Sequence, residues 1–266
     1  MAVSGRRVVV LHGQPGSGAD WQRVAEELPH GLGVVAPDRP GYGASRQPAG
    51  GFTAGARAVL AELDAQGLDS AVLVGHSYGG GVALATAALA PERIEALVLL
   101  ASVGPGCLTA GVDRLLAARV TGEISAVVAW QLTPPLARAG MAAVTRLRRR
   151  PLAADEYVSL QTWGNARRDH GPLWRSFLTE QRALVRELDG LTAALPRVTQ
   201  PVLLIADPRD MIIPVRATHR LAAALPDARV ELLRGPGHHL PARAASQIAA
   251  SIESFLATLD DREAAA

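Results

Sequence analysis

Lysine is missing from this chain. All 27 cationic side chains are arginine, which with the abundant alanine reads as the coding bias of a GC-rich genome. Cysteine is almost missing too. Cys107 stands alone, so no internal disulfide can form, and the residue reads as a small hydrophobe rather than a reactive thiol. No apolar stretch reaches the roughly 18–20 residues that a membrane span needs. Val8 to Leu11 is too short for the core of a signal peptide, so a soluble, cytoplasmic protein is the default expectation. Charge of one sign is scarce as well: the formal net charge is +2, with no basic stripe of the kind nucleic acid requires. Arg146, Arg148, Arg149 and Arg150 make the one dense basic run. It reads as a solvated helix end before Pro151, with a dock for an acidic carrier or substrate as the sharper alternative. No histidine–carboxylate cluster has metal-ligand spacing, so neither a metal nor a cofactor is implied. A small-molecule substrate is the expected partner, and the oligomeric state is left open.

What is present is an alternation. Apolar, β-branched runs at Arg7–Leu11, Leu32–Ala36, Ala71–Val74 and Ala96–Ala101 are separated by helical segments at Asp20–Leu28, Thr53–Gln66 and Gly80–Ala90. Continuous apolar strands between helices imply a mostly parallel sheet covered on both faces, a doubly wound α/β fold of about six strands. The rhythm breaks at Gly104-Pro105-Gly106. From there to Leu195 the pattern is helical, punctuated by glycine and proline, until Pro201–Ala206 resumes the strand character. Val215–Leu225 follows as a helix, Arg229–Leu233 as a strand, Ala242–Leu259 as a terminal helix, and Asp260–Ala266 as a frayed tail. The expected organisation is a core of residues 1–104 and 196–266 with a helical cap, 105–195, inserted into it.

Gly75-His76-Ser77-Tyr78-Gly79 sits between a strand and a helix. A serine between glycines at such a junction has the form of a nucleophile elbow, with its hydroxyl lifted clear of the sheet beside the free N–H groups of the new helix. In doubly wound sheets ligands bind beyond the carboxyl ends of the strands, and those ends carry the chemistry here. After the first strand comes His12-Gly13-Gln14-Pro15-Gly16, and after the second Asp38-Arg39-Pro40-Gly41-Tyr42-Gly43-Ala44-Ser45. The strand at 202–206 leads to Asp207-Pro208-Arg209-Asp210, and the last strand to Gly235-Pro236-Gly237-His238-His239. Serine, acid and histidine thus follow in that order. A serine hydroxyl needs a hydrogen-bonded base, a histidine can supply it, and a carboxylate can fix the histidine's tautomer.

With these motifs the chain resembles the α/β-hydrolase fold family over essentially its whole length. The resemblance implies Ser77 as nucleophile, Asp210 as triad acid and His238 as base, with Asp207 and His239 as weaker rivals for the last two roles. It also implies the backbone N–H groups of Gln14 and Tyr78 as oxyanion donors, each worth about 3–4 kcal/mol by analogy with measured cases. His12 is expected to brace the oxyanion loop and Asp38 to brace or cap a loop, while His76 is expected to have a packed or surface role beneath the elbow. The antiparallel strands that often precede the first parallel strand of the family are not visible. Aspartate and cysteine nucleophiles, found in haloalkane dehalogenases, epoxide hydrolases and dienelactone hydrolases, are argued against by Ser77.

Three of the four tryptophans, Trp130, Trp163 and Trp174, fall in the segment expected to form the cap, with Tyr157 and Phe177. They are candidates both for packing that segment onto the core and for lining an apolar substrate pocket. The expected reaction is hydrolysis of a carboxylic ester of a small to medium, largely apolar substrate through an acyl-enzyme. Carbon–carbon bond hydrolysis, perhydrolysis or cyanohydrin cleavage by the same triad is the alternative, and a non-catalytic small-molecule binding or regulatory protein is a third reading.

Overall fold

A computed structural model describes residues 5–108, 111–128, 146 and 173–264. Six strands form one sheet: β1 (Arg7–Leu11), β2 (Gly33–Val35), β3 (Ala71–His76), β4 (Ile94–Leu100), β5 (Val202–Ala206) and β6 (Ala228–Leu232). The order across the sheet is β2-β1-β3-β4-β5-β6, and every pairing is parallel.

The central strands β1, β3, β4 and β5 alternate between two apolar layers, because successive side chains leave opposite faces of a pleated backbone. Val9 and Leu11, Leu73, Leu97 and Leu99, and Val202 and Leu204 face one layer. That layer is closed by α2 (Phe52–Ala65), α3 (Tyr78–Leu89), the second half of α5 (Leu173–Ala194) and α6 (Val215–Ala224). Val8 and Val10, Val72 and Val74, Val98 and Leu100, and Leu203 and Ile205 face the other. There α1 (Gln22–Glu27) and α8 (Ala245–Ala264) cover them, with the single-turn α7 (Leu240–Arg243). Full burial on both sides explains why these strands read as unbroken apolar runs. Burying one such Val, Leu or Ile side chain contributes about 1.5–3 kcal/mol.

Between β4 and β5 the described residues 112–117, 119–128 and 173–194 are helical. α4 (Val112–Ala117) packs against α5, which continues through Leu184, Leu188 and Leu191 into the core layer over the sheet. Trp130, Trp163, Tyr157 and the arginines from 148 to 150 lie outside the described residues. No described helix is long and apolar enough to cross a membrane.

The C-terminal helix differs from the sequence expectation. Rather than fraying at Asp260, α8 runs to Ala264. Arg6 donates from Nε and Nη2 to Asp260 Oδ1 at 3.0 and 2.9 Å, and Arg262 pairs with Asp227 at 2.7 Å. The partners lie up to 254 residues away in the chain, so local sequence could not announce them.

The chain leaves β1 toward β2 and then returns to the other side of β1 as β3. The order therefore reverses between β1 and β3, and a crevice opens beyond their carboxyl ends, where such folds bind ligands. The loop at 12–16 and the serine after β3 meet there.

Candidate active site

Ser77 caps α3 with φ 54° and ψ −118°, one of two described non-glycine residues at positive φ. An L-residue in that region is strained and persists only where its surroundings hold it. The restraint is a set of three backbone bonds. Ser77 N–H donates to Leu100 O at 2.9 Å, and Ser77 O accepts from Gly80 N at 3.0 Å and Val103 N at 3.1 Å. The flanking glycines are required by space. A Cβ on Gly75 would lie 2.6 Å from Gly79 O and Gly80 Cα, and one on Gly79 would collide with the carbonyl oxygens of Leu11 and His12.

From Ser77 a hydrogen-bonded chain runs across the carboxyl ends of the strands. Ser77 Oγ lies 3.1 Å from His238 Nε2, and His238 Nδ1 lies 2.8 Å from Asp210 Oδ2. Asp210 Oδ1 accepts from Ile212 N at 2.7 Å and Ile213 N at 2.9 Å, and its carboxylate is fully buried. An acceptor-only carboxylate at Nδ1 leaves the His238 proton there and Nε2 free to accept from Ser77.

The rival acid has another task. Asp207 accepts from the N–H of Arg209 at 2.8 Å, Gly235 at 2.8 Å and Gly237 at 2.7 Å. Burial would raise its carboxyl, but these donors outweigh it and hold the pKa below the ordinary value. One aspartate thus ties the end of β5 to the loop that carries His238. His76, expected to have a packed or surface role beneath the elbow, donates from Nε2 to the His238 carbonyl at 2.8 Å. His239 points elsewhere, into the wall of the cavity, and burial pushes its pKa down to about 4.

Opposite the serine stands the loop His12-Gly13-Gln14. His12 is fully buried; its Nε2 accepts from Arg39 N at 2.9 Å, so Nδ1 carries the proton and donates to Gly13 O at 2.9 Å. Burial holds the ring well below the usual histidine range, keeping it neutral. Arg39 reaches over the same loop, with Nε to His12 O at 2.8 Å and Nη2 to Gly13 O at 2.9 Å. Its Nη1 pairs with Glu180 of α5, whose Oε2 also accepts from Tyr42 Oη at 2.7 Å. Asp38 braces the neighbouring turn, accepting from Gly18 N and Ala44 N, both at 2.7 Å. Among the described residues neither the Gln14 nor the Tyr78 backbone N–H has a hydrogen-bond partner. For Tyr78, the first residue of α3, that is the ordinary condition of a helix start.

Between these groups lies a cavity of about 670 Å³. Ser77, His238 and Gln14 are in its wall, and α5 contributes Phe177, Gln181 and Leu184, spaced to share one helical face. Trp174 is not in the wall; it packs one turn earlier beside Tyr42 and Leu173, with Arg175 5.1 Å over its ring. Cys107 lines the cavity, and burial raises its thiol, which agrees with an unreactive role. Asp20 is also in the wall, and burial pushes its carboxyl up to about 6. No group of three His, Cys, Asp or Glu side chains among the described residues is arranged to hold a metal ion.

Glu180 and Gln181 escaped the sequence reading. A signal existed: Phe177, Leu184, Leu188 and Leu191 form an apolar stripe on α5, and Glu180 occupies a stripe position where a charge is costly without a partner. Its partner Arg39 lies 141 residues away.

A family model described as the alpha/beta hydrolase fold matches residues 6–242. The chain is 33% identical over 237 residues to a 2-hydroxymuconate semialdehyde hydrolase of Pseudomonas putida, spanning 85% of this chain and 78% of that protein. It superposes on a thermophilic esterase from Thermogutta terrifontis with TM-score 0.73, at 20% identity and over 96% of this chain and 91% of the other. On haloalkane dehalogenase DbeA from Bradyrhizobium elkani USDA94 the TM-score is 0.74 at 21% identity, over 97% and 92%. At that identity the two structural likenesses speak for the fold alone.

Proposed function

Because this chain belongs to the α/β-hydrolase fold family and is a hydrolase, we propose that it cleaves carboxylic esters through an acyl-enzyme on Ser77. The observation that carries the reading is the continuous chain Ser77–His238–Asp210, at 3.1 and 2.8 Å, in the wall of the cavity. His238 accepts the Ser77 proton as Oγ attacks the acyl carbon and returns it to the departing alcohol. Asp210 holds the ring by Nδ1 and stabilises the imidazolium while the charge exists. The tetrahedral oxyanion is met by the N–H groups of Gln14 and Tyr78, neither with a partner among the described residues. Water then repeats the sequence on the acyl-enzyme and releases the acid.

The cavity supports an acyl or alcohol portion of small to medium size, with Phe177, Leu184 and Ile213 as its apolar contacts. We assign the segment 105–195 the role of a cap over this cavity; α4 and the first half of α5 are among its described parts.

A second reading uses the same triad on a carbon–carbon bond. What favours it is the 33% identity to a hydrolase whose named substrate is a semialdehyde rather than an ester.

Fluorophosphonate labelling tests the nucleophile. The wild-type protein is expected to label and Ser77→Ala to lose both labelling and at least about 10⁴-fold in turnover. Persistent labelling of the variant would remove Ser77 from the mechanism. Turnover of p-nitrophenyl esters against dienoic diketones then separates the two bonds.

A further inference from the structure

We propose that Arg39 is a positioning residue for the oxyanion site: it fixes the direction of the Gln14 N–H and, through Glu180, ties it to the seat of α5. The inference rests on the serine-hydrolase reading above and adds a residue that takes no part in the proton relay.

The argument begins at one peptide plane. The Gly13 carbonyl accepts two hydrogen bonds at 2.9 Å, from Arg39 Nη2 and from His12 Nδ1. The Gly13–Gln14 peptide is trans, the single described cis bond being the next one along. In a planar trans peptide the C=O and the following N–H point in opposite directions. Holding the oxygen toward Arg39 and His12 therefore aims the Gln14 N–H the other way. Gly13 itself is packed against the elbow: a Cβ placed there would lie 3.2 Å from Ser77 Cβ and 3.0 Å from His76 Nδ1. Among the described residues the N–H has no acceptor, and Gln14 shares the cavity wall with Ser77, as an oxyanion donor must. A cation on the carbonyl oxygen also polarises the peptide and strengthens its N–H as a donor.

The second link is Glu180. Arg39 is 4% exposed and Glu180 2%, so the ion pair is fully enclosed and cannot exchange its partners for water. Nη2 bridges Gly13 O and Glu180 Oε2, the latter at 3.3 Å, which makes the arginine one rigid strut from the loop to α5. Gln181, the next residue, accepts at Oε1 from Gln14 Nε2 at 3.0 Å and donates to Asp113 Oδ1 of α4 at 2.8 Å. The backbone and the side chain of the oxyanion loop are thus both held by adjacent residues of one helix. The same helix supplies Phe177, Gln181 and Leu184 to the cavity wall. The wall that contacts substrate and the restraint on the Gln14 N–H are therefore parts of one helix.

The test compares wild type, Arg39→Lys and Glu180→Gln on p-nitrophenyl butyrate. A trifluoromethyl ketone, which forms an oxyanion on the serine, and 1-butanol, which forms none, serve as competitive inhibitors. Melting temperature is followed alongside, since breaking a buried pair can unfold a protein. Arg39→Lys keeps the charge but loses the planar fork that holds two carbonyls and a carboxylate in fixed directions, and kcat is expected to fall about 10²-fold, the loss typical of one oxyanion donor. The ketone's inhibition constant should rise by the same factor, with KM and butanol inhibition within about twofold. Glu180→Gln, which preserves shape and removes the charge, should show the same pairing of effects at about 10-fold.

A folded Arg39→Lys protein with wild-type kcat, or one whose ketone and butanol inhibition weaken together, overturns the positioning role. Unchanged ketone inhibition in a folded Glu180→Gln protein overturns the link to α5. If the serine reading itself is wrong, wild type and Ser77→Ala will respond alike to the ketone, whatever Arg39 does.

Discussion

The two loops that face each other across Ser77 are anchored in different ways. The base loop, 235–239, is held from inside the sheet layer: Asp207 at the end of β5 takes two of its backbone N–H groups, and His76 at the end of β3 takes the His238 carbonyl. Both of these anchors stand at strand ends, and Arg243 of α7 adds a longer bond to Pro236 O at 3.4 Å. The oxyanion loop, 12–14, is held by His12 and Arg39, and Arg39 is completed only by Glu180 on α5. The base is therefore part of the rigid frame, while the oxyanion donor depends on a helix that also shapes the cavity. The base is thus fixed to strand ends, and the oxyanion loop is fixed in part to a helix that also lines the cavity.

The largest expected break in this arrangement comes from Asp210→Asn. Oδ1 faces the N–H groups of Ile212 and Ile213, so an asparagine must keep its oxygen there and turn its NH2 toward His238. That forces the wrong imidazole tautomer, and kcat should drop about 10⁴-fold, as when a serine-protease triad is altered this way. Steady-state kinetics with an unchanged melting temperature would isolate the tautomer from folding.

Asp207→Ala probes the base-loop anchor itself. Three backbone N–H groups lose their acceptor at once, each costing about 1–3 kcal/mol if left unpaired in the interior. Urea denaturation should show a loss of at least about 3 kcal/mol, and activity should fall as His238 leaves its line with Ser77. Full activity in this variant would mean that His76 alone suffices to hold the base.

Acid strikes both loops and gives the smallest effect. His12 in the oxyanion loop and His76 beneath the base loop are both pushed well below the usual histidine pKa by burial, and His239 in the base loop is pushed down to about 4. The unfolded chain protonates these rings near pH 6.5, so below that pH it binds more protons than the fold does. Stability is complete above about pH 6.5 and is lost progressively as the pH falls. Melting temperatures at pH 7.5 and 5 should differ in that direction, and His239→Asn should remove part of the slope.

Much of this molecule can be read along the chain. Five-residue apolar runs, glycine at the elbow and the order serine–acid–histidine are local patterns, and local patterns survive being read one residue at a time. Strand periodicity located the sheet because a strand buried on both faces has no polar positions to disguise it. The glycines at 75 and 79 announced the elbow because steric exclusion depends on the nearest backbone and not on distant partners. What the sequence determined by itself was therefore the α/β layering, the turn that lifts Ser77, and the strand ends at which Asp210 and His238 stand.

Tertiary structure alone decided how those pieces are held. It assigned Asp207 to the base loop, extended α8 to Ala264 on ion pairs with Arg6 and Asp227, moved Trp174 beside Tyr42, and placed Arg39 against Glu180. Each of these rests on a charge or ring meeting a partner far away in sequence. The cost of burying a charge is local and can be read from its position on an apolar stripe; the partner that compensates it is chosen by the fold.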